Sequence, residues 1–131
     1  MKEPLFLSKE ENLAYHSQQV SLFGGAPGLG DEGLLESAVG QPLNIYLYNA
    51  QADLFDLSAA YAFHLAKNQP FQDGNKRTAL HAALGFRAVN GAEIIASPDD
   101  LYEAMICLTT SKWNKEQFSA FLRSHSRFVG Q

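Results

Sequence analysis

Apolar positions recur three and four residues apart along most of the chain, and the breaks between these stretches fall on capping residues, which predicts a helical protein. Ser8 followed by Lys9-Glu10-Glu11 is a capping box, and Leu13, Val20 and Phe23 keep helical spacing until Gly24-Gly25 ends the first helix. Gly24 to Gly30 is a glycine- and proline-rich connector, after which Asp31 caps a short helix to about Val39, stopped by Gly40 and Pro42. Asp53 to Lys67 is a longer helix, apolar around most of its circumference with a polar stripe through Asp53, Asp56, His64 and Lys67, and is expected to be largely buried. Residues 75 to 90 form another, with Ala79, Leu80, Ala83, Leu84, Phe86 and Val89 as its core side and Asn90-Gly91 as its stop. These two helices are expected to pack as the centre of the protein. Ser97-Pro98-Asp99-Asp100 starts a fifth helix to about Thr110, and Asn114-Lys115-Glu116-Gln117 starts a last one that buries Phe118, Phe121 and Leu122. Asn44 to Asn49 alternates as a strand does, yet is too short to build a sheet alone. The expected fold class is therefore all-α, a compact single-domain bundle of about six helices over residues 1–131 with one short extended segment.

Composition narrows the function classes without naming one. A length of 131 residues suits one domain that buries roughly two-thirds of its unfolded surface. Hydrophobic residues at 46% with 18% charged are ordinary for a globular chain, and a net charge of −4 argues against a nucleic-acid surface or an anionic membrane as partner. The pattern offers neither an export leader nor an apolar run long enough to span a bilayer, so a cytoplasmic protein is expected. Cys107 stands alone, in keeping with a reducing compartment, and reads as a small core residue rather than a nucleophile.

The chemistry concentrates between Asn68 and Ala79, where Asn-Gln-Pro-Phe-Gln-Asp-Gly-Asn-Lys-Arg-Thr-Ala puts an acid, small polar residues and two cations at the start of a helix. A helix N-terminus carries unpaired N–H groups and a partial positive charge, so an anion bound there gains donors and a favourable dipole together. Gly74 allows close approach of a phosphate, Lys76 and Arg77 add a point charge and a planar fork, and Asp73 suits the Mg²⁺ that accompanies nucleotides. The run from Gln69 to Arg77 resembles the signature of the Fic/Doc superfamily, specifically its death-on-curing (Doc) toxin branch, whose loop reads His-x-Phe-x-Asp/Asn-Gly-Asn-Lys-Arg. Pro70, Phe71, Asp73, Gly74, Asn75, Lys76 and Arg77 fall into that pattern, whereas Gln69 stands where the family has its essential histidine. Phe23-Gly24-Gly25 and the run from Gly30 to Ala38 look like the amino-terminal half of Doc proteins, so the resemblance spans most of the chain.

The resemblance implies transfer from ATP, with Mg²⁺, to a hydroxyl on another protein. Adenylyl-transferring members carry glycine where Lys76 stands; the lysine fits the Doc-type arrangement, in which the nucleotide is turned round and the γ-phosphoryl group is delivered. The target class implied is a threonine or serine of a translation factor such as elongation factor Tu. Asp73 would hold the metal, Gly74 and Asn75 would cradle phosphate oxygens, and Lys76 with Arg77 would offset negative charge, while Phe71 fixes the loop. Gln69 cannot accept a proton near pH 7, and loss of a general base is typically worth about 10²- to 10⁴-fold. Three accounts of Gln69 stay open: an inactivating substitution, a naturally silent member, or an active protein with another base; the first is favoured because the rest of the phosphate site is intact. His81, one turn beyond Arg77, is expected to line the pocket; His16 braces the loop or is simply structural, the latter being preferred; His64 is expected at the solvated surface and His125 in a polar tail. In Fic-type proteins the region matching Asn44 to Asn49 is a flap that holds target peptides, and an ordinary loop is the equal alternative here. The self-inhibitory Ser/Thr-x-x-x-Glu-Gly/Asn motif is missing, because Gly28 and Leu7 stand at the position of its hydroxyl residue. Restraint by a Phd-like antitoxin, whose carboxy-terminal segment folds as a helix in a groove, is the implied substitute. Adenylyl transfer, or a silent nucleotide- or antitoxin-binding module, are the alternative functions.

Overall fold

The computed structural model describes residues 3–129 as six α-helices and a two-stranded ribbon: α1 Lys9–Phe23, α2 Glu32–Tyr48, α3 Leu54–Asn68, α4 Asn75–Val89, β1 Ala92–Ile94, α5 Pro98–Thr109, α6 Lys115–Ser124 and β2 Ser126–Phe128. The all-α class holds. The starts marked in the sequence are the observed ones, because each cap does its work locally. Ser8 Oγ accepts from Glu11 N at 3.0 Å, Asp31 Oδ1 from Leu34 N at 2.9 Å, Ser97 Oγ from Asp100 N at 3.0 Å and Asn114 Oδ1 from Gln117 N at 2.8 Å.

The centre is the α3–α4 pair, as expected. Small residues on both, Ala59, Ala62 and Ala66 on α3 with Ala79, Ala82 and Ala83 on α4, are buried and let the helices approach closely, and the Ser58 hydroxyl donates to the Ala83 carbonyl across the seam. Tyr61 crosses this core to the amino-terminal segment. Its hydroxyl accepts from Leu7 N at 2.8 Å, and burial pushes its pKa up to about 12.

Four expectations are corrected. First, α2 does not stop at Gly40 and Pro42 but runs through them to Tyr48, so residues 44–49 are not an extended flap. Leu35, Ala38, Pro42, Ile45 and Tyr46 continue one helical stripe against the core, and Tyr46 meets Phe6 edge-on at 5.6 Å; this burial outweighs the one hydrogen bond that Pro42 cannot donate. Leu47 and Tyr48, at the end of this run, point outward, Tyr48 being 86% exposed. Second, the buried face of α1 is polar, formed by Asn12, His16 and Gln19, while Leu13 and Val20 are half-buried and Phe23 is exposed. Third, Arg87 rather than Val89 fills the interior at the end of α4, its guanidinium stacked over Phe55 at 4.5 Å and donating to the Asn90 carbonyl at 2.9 Å. Fourth, His125 is not in a polar tail: it closes α6, its ring nitrogen 2.8 Å from the Phe121 carbonyl, and leads into β2. β2 pairs antiparallel with β1 in the register Ala92 to Phe128 and Ile94 to Ser126, tying the end of the described chain to the end of α4.

Candidate active site

The site forms where α3 hands over to α4. Gln69 ends α3 in the left-handed region (φ 47°, ψ 57°), its N–H still bonded to Leu65 O at 3.2 Å, and so turns the chain sharply out of the helix. Residues 70–72 then pair with the connector. Pro70 O accepts from Gly30 N at 2.8 Å and Asp31 N at 3.0 Å, and Gln72 N donates to Gly28 O at 3.0 Å. A Cβ on Gly30 would stand 3.1 Å from the Pro70 carbonyl oxygen, so the close approach of these two backbones depends on the glycine.

Three interactions fix the loop from inside. Phe71 is buried and lies flat on His16, ring centroids 3.8 Å apart at 5°. His16 Nε2 donates to the Asp73 carbonyl at 2.7 Å, so this histidine braces the loop. Asn75 clamps Phe71 by both ends of its amide, Oδ1 accepting from Phe71 N at 3.0 Å and Nδ2 donating to Phe71 O at 2.9 Å. The Asn75 side chain is thus committed to the loop, with a single Nδ2 hydrogen left for a ligand.

The start of α4 is open. Its N-cap is Gly74 (φ 77°), which brings no capping side chain, and its N–H is taken by Asp73 Oδ1 at 2.9 Å. The next three N–H groups, those of Asn75, Lys76 and Arg77, have no acceptor among the described residues. Every other helix begins with a serine, aspartate or asparagine that consumes such donors. Lys76 and Arg77 are exposed beside this terminus.

A cavity of about 1060 Å³ opens onto these groups, lined by Gln69, Asp73, Gly74, Asn75, Lys76, Arg77 and His81, so the structure brings these seven residues to one space, while Phe71 and His16 lie behind the loop. It continues as an apolar groove between α3, α4 and α5, walled by Phe63, Leu80, Leu84, Leu101 and Met105. Gln19 Nε2 lies 3.2 Å from His81 Nδ1; the amide donates, which leaves the His81 proton on Nε2. Burial lowers the His81 pKa, and the ring is neutral near pH 7. Phe23, Gln19 and the α5 wall were not singled out as site residues, because their roles come from helices meeting in space.

A divalent cation fits this donor set in one way. Among the described residues there is no group of three His, Cys, Asp or Glu able to hold a metal unaided. Asp73 offers a single carboxylate whose Oδ2 has no hydrogen-bond partner among the described residues, the arrangement Mg²⁺ accepts when phosphates and water complete its shell.

Fold and site together describe a helical protein in which one uncapped helix terminus, flanked by two cations, opens onto a cavity. The sequence profile of the Fic/DOC family matches residues 6–86. The chain is 40% identical over 93 residues to "Protein kinase doc" of Escherichia phage P1, covering 71% of this chain and 74% of that protein. It is 42% identical over 78 residues to "Toxin Doc" of Mycolicibacterium smegmatis, covering 59% of this chain and 60%, less than two thirds, of that protein. The chain belongs to the Fic/DOC family, in its Doc branch.

Proposed function

We propose that the chain is a Doc-type toxin whose architecture is that of a protein kinase delivering the ATP γ-phosphoryl group to a threonine or serine of a translation factor, in the class of elongation factor Tu. The observation that carries the reading is the uncapped start of α4, with three free backbone N–H groups beside Asp73, Lys76 and Arg77. Phosphoryl transfer needs positioning and charge neutralisation more than covalent chemistry, and these groups provide both. The free N–H groups and the two cations hold phosphate oxygens, and Asp73 holds Mg²⁺, which when bound neutralises charge on the phosphates.

The catalytic base is the missing part. Gln69 lines the cavity where the family has histidine and can orient a hydroxyl, yet it cannot take its proton. The chain is therefore proposed to bind ATP with Mg²⁺ and to transfer poorly, the glutamine being an inactivating substitution. The apolar groove along α3, α4 and α5 suits an amphipathic helix, and we assign it to the carboxy-terminal segment of a Phd-like antitoxin acting in the cytoplasm.

The test is Gln69→His with ATP, Mg²⁺ and a translation-factor mixture. Label from the γ-phosphate on a protein acceptor, gained only in the variant, is expected. Label from the α-phosphate would replace the kinase reading by adenylyl transfer, and binding without transfer in the variant would leave a binding module.

A further inference from the structure

We propose that Phe23 is a positioning residue, holding the Arg77 guanidinium over the cavity mouth where an anionic group of the ligand meets it; the inference rests on the phosphate-handling reading above. Phe23 is the last residue of α1 and is 59% exposed, a large ring that fills no core. It lines the cavity, and Arg77 Cζ stands 4.9 Å from its centroid. The ion pairs among the described residues belong to Lys9, Arg123 and Arg127, and the arginine hydrogen bonds to Arg87, Arg123 and Arg127, so Arg77 has neither.

A carboxylate in place of the ring would orient Arg77 but occupy its donors and cancel its charge. An aromatic face restrains the guanidinium through its quadrupole and leaves the N–H fork and the charge free for an incoming anion. The ring is held at the right height by the backbone. Gly24 (φ 82°) ends α1 immediately after Phe23, its N–H on Val20 O at 2.8 Å. Gly25 (φ 115°) then packs so closely on Asp73 that a Cβ there would stand 2.8 Å from Oδ2. A second rung sets the register: Gln19, one turn before Phe23, meets His81, one turn after Arg77, so α1 and α4 are matched at two successive levels along the cavity.

The experiment is calorimetric titration of ATP with Mg²⁺ into the wild-type chain, Phe23→Leu, Phe23→Tyr, Arg77→Ala and the Phe23→Leu/Arg77→Ala double variant, each checked for an unchanged thermal unfolding midpoint. Phe23→Leu is expected to weaken binding roughly two- to fivefold, Phe23→Tyr to restore it, and Phe23→Leu to add nothing once Arg77 is gone. Wild-type affinity in Phe23→Leu, or a loss that persists without Arg77, overturns the proposal and leaves the nucleotide reading standing. Absence of ATP binding by the wild-type chain overturns that reading, and the assignment of Phe23 falls with it.

Discussion

The His16 imidazole lies parallel to the Phe71 ring at 3.8 Å and donates to the Asp73 carbonyl at 2.7 Å, so one residue of α1 holds both the buried and the exposed side of the loop that leads into α4. Replacing it by alanine removes the stack and leaves the carbonyl without its partner. His16→Ala is expected to cost about 2–3 kcal/mol in urea unfolding and to weaken binding of ATP with Mg²⁺. A variant as stable as wild type would show that the loop holds itself.

Gly25 meets two demands that no other residue meets together, a φ of 115° and contact with the Asp73 carboxylate. Gly25→Ala is expected to lose about 1–2 kcal/mol of stability and to displace Asp73, seen as weaker Mg²⁺ dependence of nucleotide binding. Gly28→Ala serves as the contrast: the atoms nearest its Cβ would be the Gln72 side-chain end, which can swing away, so a small effect is expected.

Gln69 pays for its left-handed backbone, which glycine adopts freely. Gln69→Gly is expected to raise stability by about 0.5–1 kcal/mol, measured by urea unfolding, while giving no transfer activity. Gln69→His is expected to leave stability near wild type and to raise transfer about 10²- to 10⁴-fold. Opposite rankings of the two variants in stability and in activity are the outcome to look for.

His64 is half-buried rather than solvated, and its Nε2 accepts from Lys115 Nζ at 3.3 Å. Burial, and then the Lys115 charge, lower its pKa from 6.5 to about 4. Above pH 6.5 the ring is neutral folded and unfolded, and it contributes no pH dependence. Between pH 6.5 and about 4 the unfolded chain takes up a proton that the folded chain refuses, so stability falls with pH. With the solvent-facing part of the ring screened, the loss reaches about 1–2 kcal/mol at pH 4. His64→Gln is expected to flatten this part of the urea-unfolding profile, and an unchanged slope would assign it elsewhere.

The legible parts of the chain were those decided locally. Ser8, Asp31, Ser97 and Asn114 mark helix starts because the cap bonds lie within three residues, and the motif from Pro70 to Arg77 reads directly because a helix terminus assembles its donors from consecutive residues. What depends on partners distant in sequence was not legible. Proline at 42 reads as a stop until the core contacts of Ile45 and Tyr46 are known. The polar inner face of α1 is not marked by any pattern in the sequence, because the partners of His16 and Gln19, Asp73 and His81, lie far along the chain. Three-residue strands such as β1 and β2 carry too little pattern to be seen before they meet.

The internal clamp of Asn75 on Phe71 gives the loop its shape before any ligand arrives. Recognition and turnover would thereby be separable under the proposed function: residue 69 lies outside this clamp, so a change there leaves the seat built. On the proposed reading, a copy silenced at residue 69 would still present the same seat and the same apolar groove to whatever a working copy engages.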